Sequence, residues 1–166
     1  MLRERLNLMI NLRNLEYDFC NRINSEDNLS ADIIRCNNYI DIVRITSIKT
    51  GQTVSVNFDF VANRINFWNC MDEEFSYSMN EQEVEKVIGL LYVLAERTFY
   101  FQVFKGDQKL SLFIKNIAEL SMNSILEKTN EILPYVDDGF DFIKVTNFLG
   151  NYNYQIDSDY SIKEIN

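Results

Sequence analysis

Histidine is absent from the 166 residues of this chain. That removes the commonest general base, the usual activator of a serine or cysteine nucleophile, and the commonest metal ligand. Neither a Ser–His–Asp triad nor a Cys–His pair can be assembled. Cysteine is nearly as scarce: Cys20, Cys36 and Cys70 are odd in number, far apart and without CxxC spacing. They read as reduced thiols of a cytosolic protein, not as a disulfide framework, and without histidine they make no zinc site. The five glycines are dispersed, and neither GxGxxG nor GxxxxGK[ST] occurs, so nothing in the sequence cradles a phosphate. No apolar run reaches about 18 residues, so no membrane span is expected. The opening "MLRERLNLMINL" lacks the unbroken apolar stretch and small-residue cleavage site of a signal peptide. It reads as the start of a helix.

What the chain does contain is ordinary for a globular protein: 46% hydrophobic and 25% charged residues. Its charge is less ordinary, at −9 net. Residues 1–70 hold eight basic and eight acidic side chains, whereas residues 71–166 hold eight basic and seventeen acidic ones. A nucleic-acid binder needs the opposite sign, so direct nucleic-acid binding is not expected. An acidic surface serves solubility, or attracts a basic partner. Asn and Ile are frequent while Ala, Gly and Pro are few, which fits an AT-rich genome such as that of a low-GC bacterium or its phage.

Periodicity organises the chain. Leu8, Leu12, Leu15, Phe19 and Ile23 recur at helical steps and predict a helix over residues 3–24. "NSEDNLS" then breaks the pattern. A strand is expected over 39–48, where the adjacent Ile42 and Val43 suggest a bulge or burial on both faces. Strict alternation over 53–61 sets Val54, Val56, Phe58 and Phe60 against Thr53, Ser55, Asn57 and Asp59, and a third strand follows at 64–69. "KTGQ" and "ANR" are the turns of this antiparallel meander, Gly51 being free to take positive φ. Residues 69–80 read as an acidic connector. Asn80 with Glu83 caps a helix to about Arg97, with Glu81, Glu83 and Glu85 in its first turns, where the helix dipole favours carboxylates. A second hairpin is expected over 98–115, a third helix over 116–133 ended by Pro134, and a short strand between Phe140 and Phe148. The expected class is therefore α+β, with an antiparallel meander of about four to six strands packed against about three helices. Residues 1–150 form a single domain in this reading, and 151–166 an acidic Tyr- and Asn-rich tail that is partly ordered.

Carboxylates are the chemistry that remains. Asp107 and Lys109 spell the acid-x-Lys pattern of some metal-dependent nucleases, but sit beside Gly106 in an expected turn. Asp41 and Asp59 lie on neighbouring strands and could converge as a catalytic pair. The simpler expectation is that each faces outward. "DDGFDFIKVTNF" has neither the spacing nor the closing Glu of a calcium loop. No catalytic residue, metal or cofactor is expected.

The acids themselves are the better signal. Asp72, Glu73 and Glu74 form one cluster, and Asp137, Asp138 and Asp141 another. Tyr77, Tyr152 and Tyr154 lie among polar neighbours, and tyrosine is enriched at protein interfaces. Together these nine residues predict a partner-binding surface. In size, acidity and lack of catalytic residues the chain is similar in character to bacterial immunity proteins and to phage-encoded inhibitors of host defence nucleases, a similarity that no motif carries. It implies a non-enzymatic inhibitor or neutraliser, docking on a basic surface of a nuclease or other nucleic-acid-binding protein in a bacterial cytoplasm, with no membrane contact. A homodimer formed through an exposed sheet edge is the alternative. A carboxylate- or Mg²⁺-dependent hydrolase is the third reading.

Overall fold

In the computed structural model the described residues are 2–68, 74–136 and 139–165, with only the backbone described for 2–6 and for Trp68. Asp72, Glu73, Asp137, Asp138 and Cys70 lie outside the described residues. The chain runs α1 (Leu2–Asn24), β1 (Leu29–Arg35), β2 (Ile40–Ser47), β3 (Thr53–Asp59), β4 (Arg64–Trp68), β5 (Glu74–Ser78), α2 (Glu81–Arg97), β6 (Thr98–Lys105), β7 (Gln108–Asn116), α3 (Met122–Ile132), β8 (Phe142–Asn147), β9 (Asn153–Asp157) and β10 (Ile162–Glu164). The class is α+β, but the strands divide between two five-stranded antiparallel sheets, ordered β1-β2-β3-β4-β5 and β10-β9-β8-β6-β7. The chain correspondingly forms two compact units, Met1–Val93 and Leu94–Asn166.

The N-terminal unit is the meander, extended by one strand at each end. Alternation does its work: Val43, Ile45, Val56, Phe58, Ile65 and Phe67 are buried on one face. Gly51 takes φ 69° in the β2–β3 turn, as its position requires. α1 packs mainly on β1, Leu12, Phe19, Cys20 and Ile23 are buried along it, and Phe19 meets Phe58 edge to face at 5.3 Å. Leu8, expected on the same stripe, is half exposed. Ile42 and Val43 do not bulge; the register with both neighbours is continuous, Val43 facing inward and Ile42 outward. Two strands come from segments expected to be irregular. β1 hides behind the polar run 24–30, and β5 emerges from the acidic connector because Phe75 and Tyr77 alternate with Glu74, Ser76 and Ser78.

The C-terminal unit is built on the β6–β7 hairpin, with Gly106 at φ 56° in its turn. Phe99, Phe101, Val103, Ile143, Val145 and Ile156 form its core, against Ile125 and Ile132. α3 starts later than periodicity suggests, because the Ser121 hydroxyl accepts from Ser124 N–H and the Ser124 hydroxyl accepts from Ser121 N–H. The expected tail is in fact part of the sheet: β9 pairs with β8, and β10 with β9. Tyr154 and Ile156 supply the apolar alternation that holds it there.

The meander's register makes a sharp test. Phe58→Asp buries an unpaired charge at several kcal/mol, comparable to a typical total stability of roughly 5–15 kcal/mol. It should abolish cooperative unfolding, whereas Asn57→Asp, on the opposite face, should leave the melting transition within a few degrees of the parent. Similar melting curves for the two variants would show the face assignment to be wrong.

Candidate functional site

A mid-helix carboxylate in an apolar stripe is the unusual feature of α1. Glu16 lies one turn after Leu12 and one turn before Phe19 and Cys20, so the helix turns it inward with them, and it has no exposed surface. Asp41, at the start of β2, is also fully buried. It pairs with Phe58 across the ladder and shares that residue's inward face. This corrects the expectation that Asp41 points outward. Asp59 pairs with Ile40, so alternation puts it on the other face. There its carboxylate accepts the backbone N–H groups of Val61 and Ala62 at 3.0 and 2.8 Å and closes the β3–β4 turn. The two aspartates do not converge. The carboxyl beside Asp41 comes from the helix instead.

Two arginines complete the cluster. Arg13 Nη1 donates to Asp41 Oδ2 at 2.8 Å, and Arg35 Nη1 reaches the same oxygen at 3.3 Å. Each guanidinium also lies over an aromatic ring: Arg13 over Phe60 at 4.7 Å, Arg35 over Tyr17 at 5.7 Å. Arg35 donates to the Tyr17 hydroxyl as well. No donor among the described residues reaches Asp41 Oδ1 or either oxygen of Glu16. Burial, then the charge of Asp41, push the Glu16 carboxyl up to about 7, against the opposing pull of Arg35 and Arg13. The sequence signal for this cluster was there to be read, since Glu16 interrupts an otherwise apolar helical stripe.

The other side of α1 forms an open recess with the start of α2. Leu15, Asp18, Asn21, Arg22, Ser25, Glu81, Val84 and Glu85 line a cavity of about 420 Å³. A second hollow of about 740 Å³ shares Leu15, Asp18 and Glu81 and adds Asn11, Asn14, Met79, Asn80 and Gln82. Asn80 caps α2 as expected, its side-chain oxygen accepting Glu83 N–H at 3.0 Å. Arg22 spans the recess and grips Glu85 with both nitrogens, the second at 2.6 Å. That pairing holds Glu85 below the usual carboxylate range. No hydrogen bond or close salt bridge holds the Asp18 side chain among the described residues, although its charge acts on Arg22 one turn along α1.

The residues expected to bind a partner fall in different places. Glu74 is exposed at the start of β5. Tyr77 is half buried, its ring parallel to Phe67 at 6.5 Å. Asp141 is exposed but has local work, since its carboxylate accepts Gly106 N–H at 2.6 Å and so ties β8 to the β6–β7 turn. Tyr152 is partly exposed and stacks on Phe99 at 6.1 Å. Tyr154 is buried in the C-terminal core, and burial raises its phenol. β9 alternation turns it inward, which a reading of its polar neighbours alone could not show. Asp107 lies in the exposed β6–β7 turn with Lys109 just beyond it. Among the described residues no three His, Cys, Asp or Glu side chains gather closely enough to hold a metal ion. No described helix is long and apolar enough to cross a membrane.

The buried cluster and the surface pairs should respond differently to truncation. Asp41→Ala leaves two guanidinium groups without their acceptor and should cost about 2–3 kcal/mol, less than a fully buried pair because both arginines keep contact with water. Asp32→Ala, which breaks an exposed pair with Arg44 at 3.0 Å, should cost at most about 1 kcal/mol. Urea midpoints compare them, and equal shifts would mean the cluster contributes no more than a surface pair. No family model, curated protein or solved structure matches this chain.

Proposed function

We propose that the chain is a non-enzymatic binding module that docks a basic segment of a protein partner in the recess between α1 and the start of α2. The observation that carries this reading is the charge of the recess. Asp18, Glu81 and Glu85 line it, against Arg22 as the one cation among the described lining residues, and that cation is already engaged by Glu85. The dipole at the start of α2 accounts for Glu81 and Glu83. It does not account for Asp18, which projects exposed from the middle of α1 and is held by no hydrogen bond among the described residues, its charge acting only at longer range on Arg22. The neighbouring amides of Asn11, Asn14, Asn21 and Gln82 offer donors and acceptors suited to a peptide backbone.

A partner of this kind would present arginine or lysine, as the nucleic-acid-binding surface of a nuclease does, and the module would act as inhibitor or neutraliser by covering it. Glu74 and Tyr77, in the same unit as the recess, remain candidates for a wider contact, and Asp141 and Tyr152 of the C-terminal unit for a separate one. A carboxylate-based hydrolase is the competing class, favoured by the Glu16–Asp41 pair. Substrate would then have to reach two side chains with no exposed surface.

A fluorescent deca-arginine peptide tests the recess. Asp18→Lys should weaken its binding at least tenfold, since close charge pairs across an interface couple by about 1.5–7 kcal/mol. Glu119→Lys makes the same charge change at an exposed position of the C-terminal unit and should cost little. Added salt should reproduce the Asp18→Lys defect in the unaltered protein. Equal weakening by both substitutions would reduce the effect to net charge and sink the recess as the site.

A further inference from the structure

α1 has two working sides. Its inward side holds Glu16 against β2, and its outward side supplies Asn11, Asn14, Asp18, Asn21 and Arg22 to the recess. Leu15 lines both hollows, and Glu16 is the next residue. Any change in how α1 sits on the sheet therefore moves one wall of the recess.

The seat contains a chemical imbalance. Both arginines converge on a single oxygen, Oδ2 of Asp41, at 2.8 and 3.3 Å. Asp41 Oδ1 and both oxygens of Glu16 are buried with no donor among the described residues, and the two carboxyls lie close enough to interact directly. Two ionised carboxylates in that position repel, with only acceptors between them. A single proton turns the repulsion into a hydrogen bond from one carboxyl to the other.

We propose that Glu16 holds a proton in the folded protein and donates it in a hydrogen bond to Asp41, and that this proton latches α1 to β2, so that its loss loosens α1 and reshapes the recess. The consequence for the recess rests on the docking reading given above, whereas the latch stands on the cluster itself. Asp41 from β2, Arg35 from β1 and Arg13 from α1 are the charged groups that face Glu16. Cys20, one turn along α1, has its thiol pushed up by burial and then by Asp32 and Glu16. The Tyr17 hydroxyl is held by Arg35. β3 presents Val56 and Phe58 to this side.

The direction of the pH effect follows from the raised Glu16 carboxyl. With a value of about 7 in the folded state and an ordinary value of 4.5 when α1 is detached, the seated form holds the proton more tightly. The stabilisation is complete below the ordinary carboxylate value and disappears as pH rises through about 7. Between about pH 6 and pH 8.5 the seat should weaken about tenfold.

Three measurements on the full chain decide the matter. Carbon-13 NMR should show the Glu16 carboxyl titrating near neutrality. Hydrogen exchange of α1 amides, corrected for intrinsic rates, should speed up about tenfold over that pH interval relative to β3 amides. In Glu16→Gln the acceleration should vanish, because the side-chain amide donates to Asp41 at either pH. Titration of Glu16 in the ordinary carboxylate range, or an unchanged acceleration in the variant, would overturn the latch. The NMR titration needs no variant, so a poorly folding Glu16→Gln leaves the question decidable. Deca-arginine binding, measured alongside, should weaken at the higher pH in the unaltered protein only. Failure of the peptide to bind at either pH counts against the recess and leaves the titration and exchange results to judge the latch. Equal binding at both pH values while α1 loosens would sever the latch from the recess.

Discussion

Two carboxyls buried side by side are the constraint around which the N-terminal unit is arranged. Burying a charged carboxylate is expensive, and burying two together adds their repulsion. The structure meets the cost from several directions at once. Asp41 receives two arginines, one from the helix and one from the neighbouring strand β1. Each arginine is itself held over an aromatic ring. Glu16 receives no hydrogen bond from either arginine, and burial together with the charge of Asp41 moves its carboxyl up to about 7 against their pull. The position of α1 on β1 and β2 is thus tied to a protonation equilibrium as well as to apolar packing.

The sheet edges show a second kind of constraint. An open strand exposes unpaired backbone groups that invite another chain. On β1, the Asn24 side chain donates to Ala31 O at 2.9 Å and accepts Ala31 N–H at 2.7 Å, the two bonds a neighbouring strand would make. On β7, Val103 opposes Ser111 while Phe104 opposes Lys109, which leaves Leu110 as an extra residue in a bulge. Lys109 and Lys115 flank it, and β10 is only three residues long. Leu110, Leu112 and Ile114 remain partly exposed. These devices weigh against a homodimer formed by strand pairing at β1 or β7, the alternative that composition alone left open.

Much of the acidic excess has local employment. Asp141 fastens a hairpin turn, Asp159 accepts Ser161 N–H in another, Asp157 pairs with Lys163, and Glu131 joins Lys115 and Lys128. A count of acids therefore overstates the carboxylates free to meet a partner. Asp18 belongs to none of these arrangements and lines the recess, where its charge acts on Arg22.

Local pattern by itself determined the three helices, the meander strands, the positions of the hairpin turns and the α+β class. Each of these depends on residues close in sequence, through a period of two or of 3.6, a capping side chain such as Asn80, or a glycine that tolerates positive φ at a turn. Tertiary structure alone decided the rest. β1, β5, β9 and β10 are short, polar-rich segments whose weak alternation becomes visible only when a neighbouring strand supplies the ladder. The burial of Tyr154 and the inward turn of Asp41 depend on which face of a sheet is covered, which no local window contains. Glu16 could be placed on the apolar side of α1 from its spacing. Its partner, twenty-five residues away on β2, could not, because the meeting of two carboxyls is a property of how the helix lies on the sheet.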